Sequence, residues 1–157
     1  RPRLETNRQV TIPFAFKHCE TTGRIDNFRI AAGQIQGQWK GIYGFDDTDV
    51  TKIIEGASYS LHVHPDPELD AYLDKIIGYV AAAQEEDGYL STQITLTNAE
   101  RWSNRQYHEL YNSGHLLTSA CIHHQPGRQD RHHHVRNHKH GALDRHRDSD
   151  ALCQYAC

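Results

Sequence analysis

The chain has 157 residues, a hydrophobic fraction of 37% and a formal net charge of −3 with histidine neutral. That length suits one ordinary domain, and the lack of a basic stripe before the C-terminal stretch excludes the electrostatic footprint of a nucleic-acid binder. No run approaches the roughly 18 apolar residues of a membrane span, and no basic-then-apolar opening marks a signal peptide. The chain starts at Arg1 and contains no methionine, which reads as an internal or processed piece and leaves its compartment open.

In chain order, a first helix is expected from Gln9 to about Thr22, with Pro13 in its first turn and Gly23 as its stop. Ile12, Phe16 and Cys19 share its apolar face. Residues 24–44 carry Gly33, Gly37, Gly41 and Gly44 and read as a long irregular connection. "FDDTDVTKIIEGASYSLHVHPDPELD" then supplies two helices and the corner between them. Asp46, Asp47 or Thr48 caps the first, whose stripe is Val50, Ile53, Ile54, Ala57 and Leu61. Pro65 stops it, Asp66 caps the next, and Pro67 fits the first turn. Leu69, Leu73, Ile76, Ile77 and Val80 line one face of this second helix, which is expected to run until Gly88, roughly 30 Å at about 1.5 Å per residue. A fourth helix is expected from about Asn104 to His123. No alternating strand pattern intervenes, so the fold class is all-α.

"HELYNSGH" carries the most chemistry. Seven residues are close to two helical turns, so His108, Tyr111 and His115 return to one face. The zinc-protease signature requires a second histidine at position 112, where this chain has asparagine, so that reading fails. A neutral imidazole donates from one nitrogen and accepts at the other, which suits a sugar hydroxyl. Glu109 is a candidate to orient His108 or to bind substrate, and Trp102 in "ERWSN" offers an apolar platform for a sugar ring. The competing explanation makes both histidines hydrogen-bonded packing residues, Glu109 a solvated charge and Trp102 core. At the turn in "EEDGYL", Gly88 is placed to aim Asp87 or Tyr89 inward, or simply to end a helix. Asp47 and Asp49 resemble paired carboxylates for acid/base work, although helix capping explains them without chemistry. Cys19, Cys121, Cys153 and Cys157 are scattered and read as free thiols; the C-x3-C spacing of the last two is weak evidence for zinc.

"ETTGRIDNFRIAAG", "DDTDVTKIIEGASYSL", "PDPELDAYLDKIIGYVAAAQEEDGYL", "ERWSN" and "HELYNSGHL" occur in the order and at the spacing of the N-terminal part of glycoside hydrolase family 127. Over residues 4–125 the chain resembles these β-L-arabinofuranosidase-like proteins. The resemblance implies an (α/α)6 barrel of helical hairpins, present here only in part, and retaining hydrolysis of a terminal β-L-arabinofuranoside. It further implies a cysteine thiolate nucleophile in a zinc site of three cysteines and a glutamate, with a second glutamate as acid/base. No residue here matches those positions. The expectation is therefore no catalytic residue and no metal ligand in this chain, and a share of the sugar-pocket wall built from His108, Glu109, His115 and Trp102. Zinc belongs to the complete enzyme, the ligand is an arabinofuranoside-type carbohydrate, and the piece alone is expected to be inactive.

Residues 126–157 break the pattern. Six of the thirteen histidines lie there, and so few apolar residues cannot offset chain ordering, so a poorly ordered tail is expected. The division is thus 1–125, the barrel portion, and 126–157, a His/Arg/Asp-rich tail. Either a frame change or truncated gene near Gln125 produced it, or it is a genuine metal-binding tail with His132, His133, His134, His138 and His140 as ligands. On that second alternative the protein is a noncatalytic helical module that binds sugar through the His108 face or metal through the tail.

Overall fold

The computed structural model describes residues 2–124. The tail histidines, Cys153 and Cys157 lie outside the described residues. All regular structure among the described residues is helical: α1 (Pro2–Thr6), a π turn (Asn7–Thr11), α2 (Ile12–Thr21), α3 (Arg24–Ala31), α4 (Asp47–Val63), α5 (Pro67–Ala82), α6 (Thr92–Thr97), a 3-10 turn (Arg105–Tyr107) and α7 (Glu109–His123). The all-α expectation holds.

The first helix starts earlier than the periodicity suggests. The π turn continues α1 into α2, and Pro13 sits in the first turn of α2, directly after the π turn. Ile12, Phe16 and Cys19 are buried on one face, as expected. Gly23 follows α2 at φ 79°, a left-handed conformation that favours glycine, and a Cβ there would have to displace the Lys40 side chain, whose Cδ would lie 2.4 Å away.

The connection expected over 24–44 is half wrong, because Arg24–Ala31 is the helix α3. It buries Ile25, Asn27 and Phe28, a polar residue between two apolar ones, so no clean stripe announces it. Asn27 explains the exception. Its Nδ2 donates to the Lys40 carbonyl and its Oδ1 accepts from the Lys40 N–H, both at 2.8 Å, so one buried amide pins the following loop onto the helix.

α4 and α5 form a hairpin around Pro65. The Asp66 carboxylate accepts from the N–H groups of Glu68 and Leu69, giving the expected cap, and Pro67 opens the helix. α5 ends at Ala82, short of Gly88, and its 16 residues span about 24 Å. The cluster Val50, Ile54, Ala57, Leu61, Leu73, Ile76, Ile77 and Val80 joins with Ile12, Phe16, Cys19, Ile25 and Phe28 in one core.

α7 lies along α4 in the same direction. Asn112 Nδ2 donates to the Gly44 carbonyl just before α4 at 2.7 Å, and His123 Nδ1 meets the Ser58 hydroxyl at 3.1 Å further along. With α5 as the return, α4 and α7 are like-oriented members of successive hairpins, as a barrel of circling hairpins requires.

Candidate functional site

The three acidic residues before and within α4 are all engaged within the protein, and Asp46 and Asp49 share the Arg24 guanidinium at 3.4 and 2.6 Å. Asp46 Oδ2 accepts from the Ile42 and Tyr43 N–H groups at 2.7 and 3.2 Å, upstream of the helix it was expected to cap. Asp49 accepts from Arg24 Nε at 2.6 Å. Asp47 reaches across to the start of α6, where its two oxygens accept from Thr92 N–H at 2.8 Å and Thr92 Oγ1 at 2.5 Å. Burial raises its pKa to about 6, and the Thr92 donors oppose that rise. Both expectations for this group are corrected: Asp47 and Asp49 do not form an isolated acid/base pair, and no side chain of the three caps α4. Thr48 instead donates to the Phe45 carbonyl.

The histidine motif starts one residue outside its helix. His108 has φ 54°, and α7 begins at Glu109, so the expected fourth helix is preceded by a 3-10 turn and a left-handed residue. The three rings nevertheless meet. His108 is edge-on to Tyr111 with centroids 6.1 Å apart, and Tyr111 is edge-on to His115 at 4.6 Å. Phe45 extends the row at 5.1 Å from His108, and Tyr43 stacks on Phe45 at 5.0 Å. Lys52 of α4 donates to the Tyr111 hydroxyl at 2.6 Å and lies 4.7 Å from the centre of its ring. His115 Nδ1 is buried and has no hydrogen-bond partner among the described residues.

Glu109 and Trp102 belong to a different surface. A helix turns about 100° per residue, so Glu109, Ser113, Leu116 and Ala120 fall on one flank of α7 while Tyr111 and His115 fall on another. Asn112, Ser119 and His123, all buried, run between them. The four expected site residues are therefore placed as two pairs. Glu109 is only 5% exposed and not the solvated charge of the competing explanation. Its Oε1 accepts from the Tyr89 hydroxyl and its Oε2 accepts from the Trp102 N–H at 2.8 Å. Trp102 is 56% exposed, which excludes a core role, and stands at φ 62°. Its ring is edge-on to Tyr89 at 5.6 Å, and the Arg101 guanidinium covers the Tyr89 ring at 3.9 Å. Arg101 is held by Glu85 at 2.5 Å and Asp87 at 2.6 Å, and its charge keeps the Asp87 carboxyl below the usual range. Burial and the Glu109 carboxylate push the Tyr89 hydroxyl well above its ordinary pKa, so it remains a donor.

Asp87, Tyr89, Arg101 and Trp102 line a cleft of about 390 Å³ with Gln84, Leu90, Leu116 and Leu117. Asp87, Gly88 and Tyr89 are among its lining residues, and Gly88 does not end α5, which stops at Ala82. Arg101 and the cation cover of Tyr89 were not anticipated; the acidic "EED" facing an arginine was the available signal.

The sequence profile of the β-L-arabinofuranosidase GH127 catalytic domain matches residues 1–135. The chain belongs to glycoside hydrolase family 127. It is 38% identical over 108 residues to the non-reducing end β-L-arabinofuranosidase of Bifidobacterium longum subsp. longum, a match covering 64% of this chain and 16% of that protein. A solved GH127 β-arabinofuranosidase superimposes with a TM-score of 0.76 at 40% identity, over 98% of this chain and 23% of that one. The GH127 β-L-arabinofuranosidase of Geobacillus stearothermophilus T6 gives a TM-score of 0.79 at 32% identity, again over 98% and 23%. The chain thus spans about a sixth to a quarter of these relatives. It carries the corresponding part of their helical fold, an incomplete (α/α)6 barrel.

The zinc centre that the resemblance implies does not fit the residues described. No group of three His, Cys, Asp or Glu residues is placed to hold a metal ion among them. Cys19 is buried, and burial raises its thiol to about 11, the opposite of a metal-bound or nucleophilic thiolate. Cys121 is exposed and free. No helix among the described residues is long and apolar enough to cross a membrane.

Proposed function

We propose that residues 1–125 are the N-terminal portion of a retaining β-L-arabinofuranosidase, contribute part of its sugar-pocket wall, and do not turn over substrate alone. The observation that carries this reading is the ring row of His108, Tyr111 and His115 within a chain whose family is a glycosidase family. A furanose presents hydroxyls on a compact ring, and an imidazole both donates to and accepts from such groups. The unpartnered, buried Nδ1 of His115 supports a ligand-facing role for a residue that spacing alone left structural. His108 stands within the row, fixed between Phe45 and Tyr111, so its ring is oriented before any ligand arrives. Trp102 and Glu109 contribute from the other flank of α7. Catalysis, with the zinc of the complete enzyme, resides in residues beyond those described here.

The test is titration of the 157-residue protein with methyl β-L-arabinofuranoside, followed by NMR of the histidine Hε1 signals. His108 and His115 should shift on addition of the sugar, while the protein releases no arabinose even with zinc supplied. Turnover, or a folded chain whose His108 and His115 signals ignore the sugar, overturns the reading.

A further inference from the structure

Trp102 combines three properties rarely found together: a large apolar ring, high exposure at 56%, and a backbone at φ 62° that an L-residue adopts only at a cost. An exposed tryptophan gains little from burial that would offset this strain. Something must hold the turn, and that group is the Glu109 carboxylate, buried to 5% exposure and spanning from the Trp102 N–H to the Tyr89 hydroxyl. Arg101 covers a face of Tyr89 and is neutralised by Glu85 and Asp87, while the Tyr89 and Trp102 rings meet nearly at right angles, 83°. The result is a braced pair of rings among the residues that line the 390 Å³ cleft, together with Gln84 and Asp87.

We propose that Glu109 is a positioning residue that fixes Tyr89 and Trp102 as a stacking platform for a sugar ring in this cleft, separate from the histidine row across α7. This deepens the carbohydrate reading above and rests on it. Apolar C–H faces of a furanose or of an adjoining sugar pack on an aromatic ring, while their hydroxyls find the amide and carboxylate of the rim. Glu109 itself acts through these two neighbours: it is only 5% exposed and, unlike Tyr89 and Trp102, is not among the residues that line the cleft.

The chain has two tryptophans, so Trp39→Phe leaves Trp102 as the sole tryptophan reporter under excitation that tyrosine does not absorb. In that background, methyl β-L-arabinofuranoside should quench or shift Trp102 emission. Glu109→Ala should weaken this response on the order of tenfold and raise acrylamide quenching of Trp102, with helical circular dichroism unchanged. Glu109→Gln should restore both, since an amide oxygen still accepts the Trp102 N–H and the amide NH2 donates to the Tyr89 oxygen. A purely structural glutamate would change stability without this rescue of the Trp102 signal. If Glu109→Ala does not fold, Tyr89→Phe serves instead, and its retained ring with a lost hydroxyl should give a partial loss of response. Unchanged Trp102 behaviour in a folded Glu109→Ala or Tyr89→Phe protein overturns the proposal. Sugar-dependent shifts of His108 and His115 without any Trp102 response also overturn it while leaving the carbohydrate reading intact. Silence at both positions ends both.

Discussion

The buried Asp47 carboxylate makes a pH-dependent stability difference that a single substitution isolates. Its pKa rises from the ordinary 3.8 to about 6 because desolvation outweighs the two Thr92 donors. An acid whose folded-state pKa is raised binds more protons folded than unfolded between those two values, so its contribution falls as pH climbs from 3.8 to about 6. At roughly 1.4 kcal/mol per pH unit, the charged form costs up to about 3 kcal/mol above the window and nothing below it. Asp47→Asn preserves the geometry, since its carbonyl accepts the Thr92 N–H and its amide donates to Thr92 Oγ1. The variant should match the parent near pH 4 and become more stable by up to about 3 kcal/mol near pH 7. Urea unfolding followed by circular dichroism across that range measures the difference directly. Glu5 and Asp87, which Arg8 and Arg101 hold below the usual carboxylate range, titrate identically in both proteins and cancel. A parent-to-variant difference that is flat with pH, or an asparagine variant less stable near pH 7, would refute the dominance of desolvation at this site.

Leu73 has no exposed surface, and Leu73→Ala should lose about 2–5 kcal/mol in the same urea assay; a loss below about 1 kcal/mol means the core closes around the gap. Gly44→Ala should be nearly as costly, about 1–3 kcal/mol, because the new Cβ would lie 2.5 Å from the Gln106 carbonyl oxygen and 2.6 Å from Tyr107 Cα. Asp66→Ala removes the two capping bonds at the start of α5 and should cost about 1 kcal/mol, with an unchanged melting midpoint counting against the cap. Iodoacetamide under native conditions should label exposed Cys121 well before Cys19, whose thiol is buried and raised to about 11; peptide mapping by mass spectrometry reads the order.

α5 was legible in the sequence because its information is local: an Asp-Pro start, an i, i+3, i+4 stripe and a carboxylate cap all lie within its own residues. α3 was not, because its central buried residue is Asn27, whose partner Lys40 lies thirteen positions away, beyond the pattern window. The same distinction divides the site. His108, Tyr111 and His115 meet as helical spacing requires, even though His108 itself lies outside the helix. Glu109 and Trp102 are also close in sequence, yet no periodicity joins them, since the chain between them doubles back through left-handed residues at both ends. Asp47 and Thr92 are 45 positions apart, and nothing local in either segment marks that pairing.

The segment from Asn98 to His108 shows why the part of the site that escaped the pattern is also the part that needs dedicated anchors. Asn98, Trp102 and His108 all have positive φ without being glycine, at 53°, 62° and 54°. Each such residue costs about 1 kcal/mol or more, so the turn does not hold this shape on its own. It is held from outside by Glu109, which grips the Trp102 N–H, and by Gly44, which packs against the backbone of Gln106 and Tyr107, while inside it Asn104 accepts from the Gln106 N–H at 2.9 Å. Two of those strained residues present the rings assigned to sugar, His108 to the histidine row and Trp102 to the cleft. The packed stripe of α7 lies between these surfaces, so the contact of α7 with α4 sets the separation of both. A perturbation of that contact, such as Asn112→Ala, should therefore disturb the His108 and Trp102 signals together, whereas Glu109→Ala should disturb Trp102 alone. The two patterns distinguish a shared support from a private one, and a His108 response to Glu109→Ala as large as that of Trp102 would mean the surfaces are one.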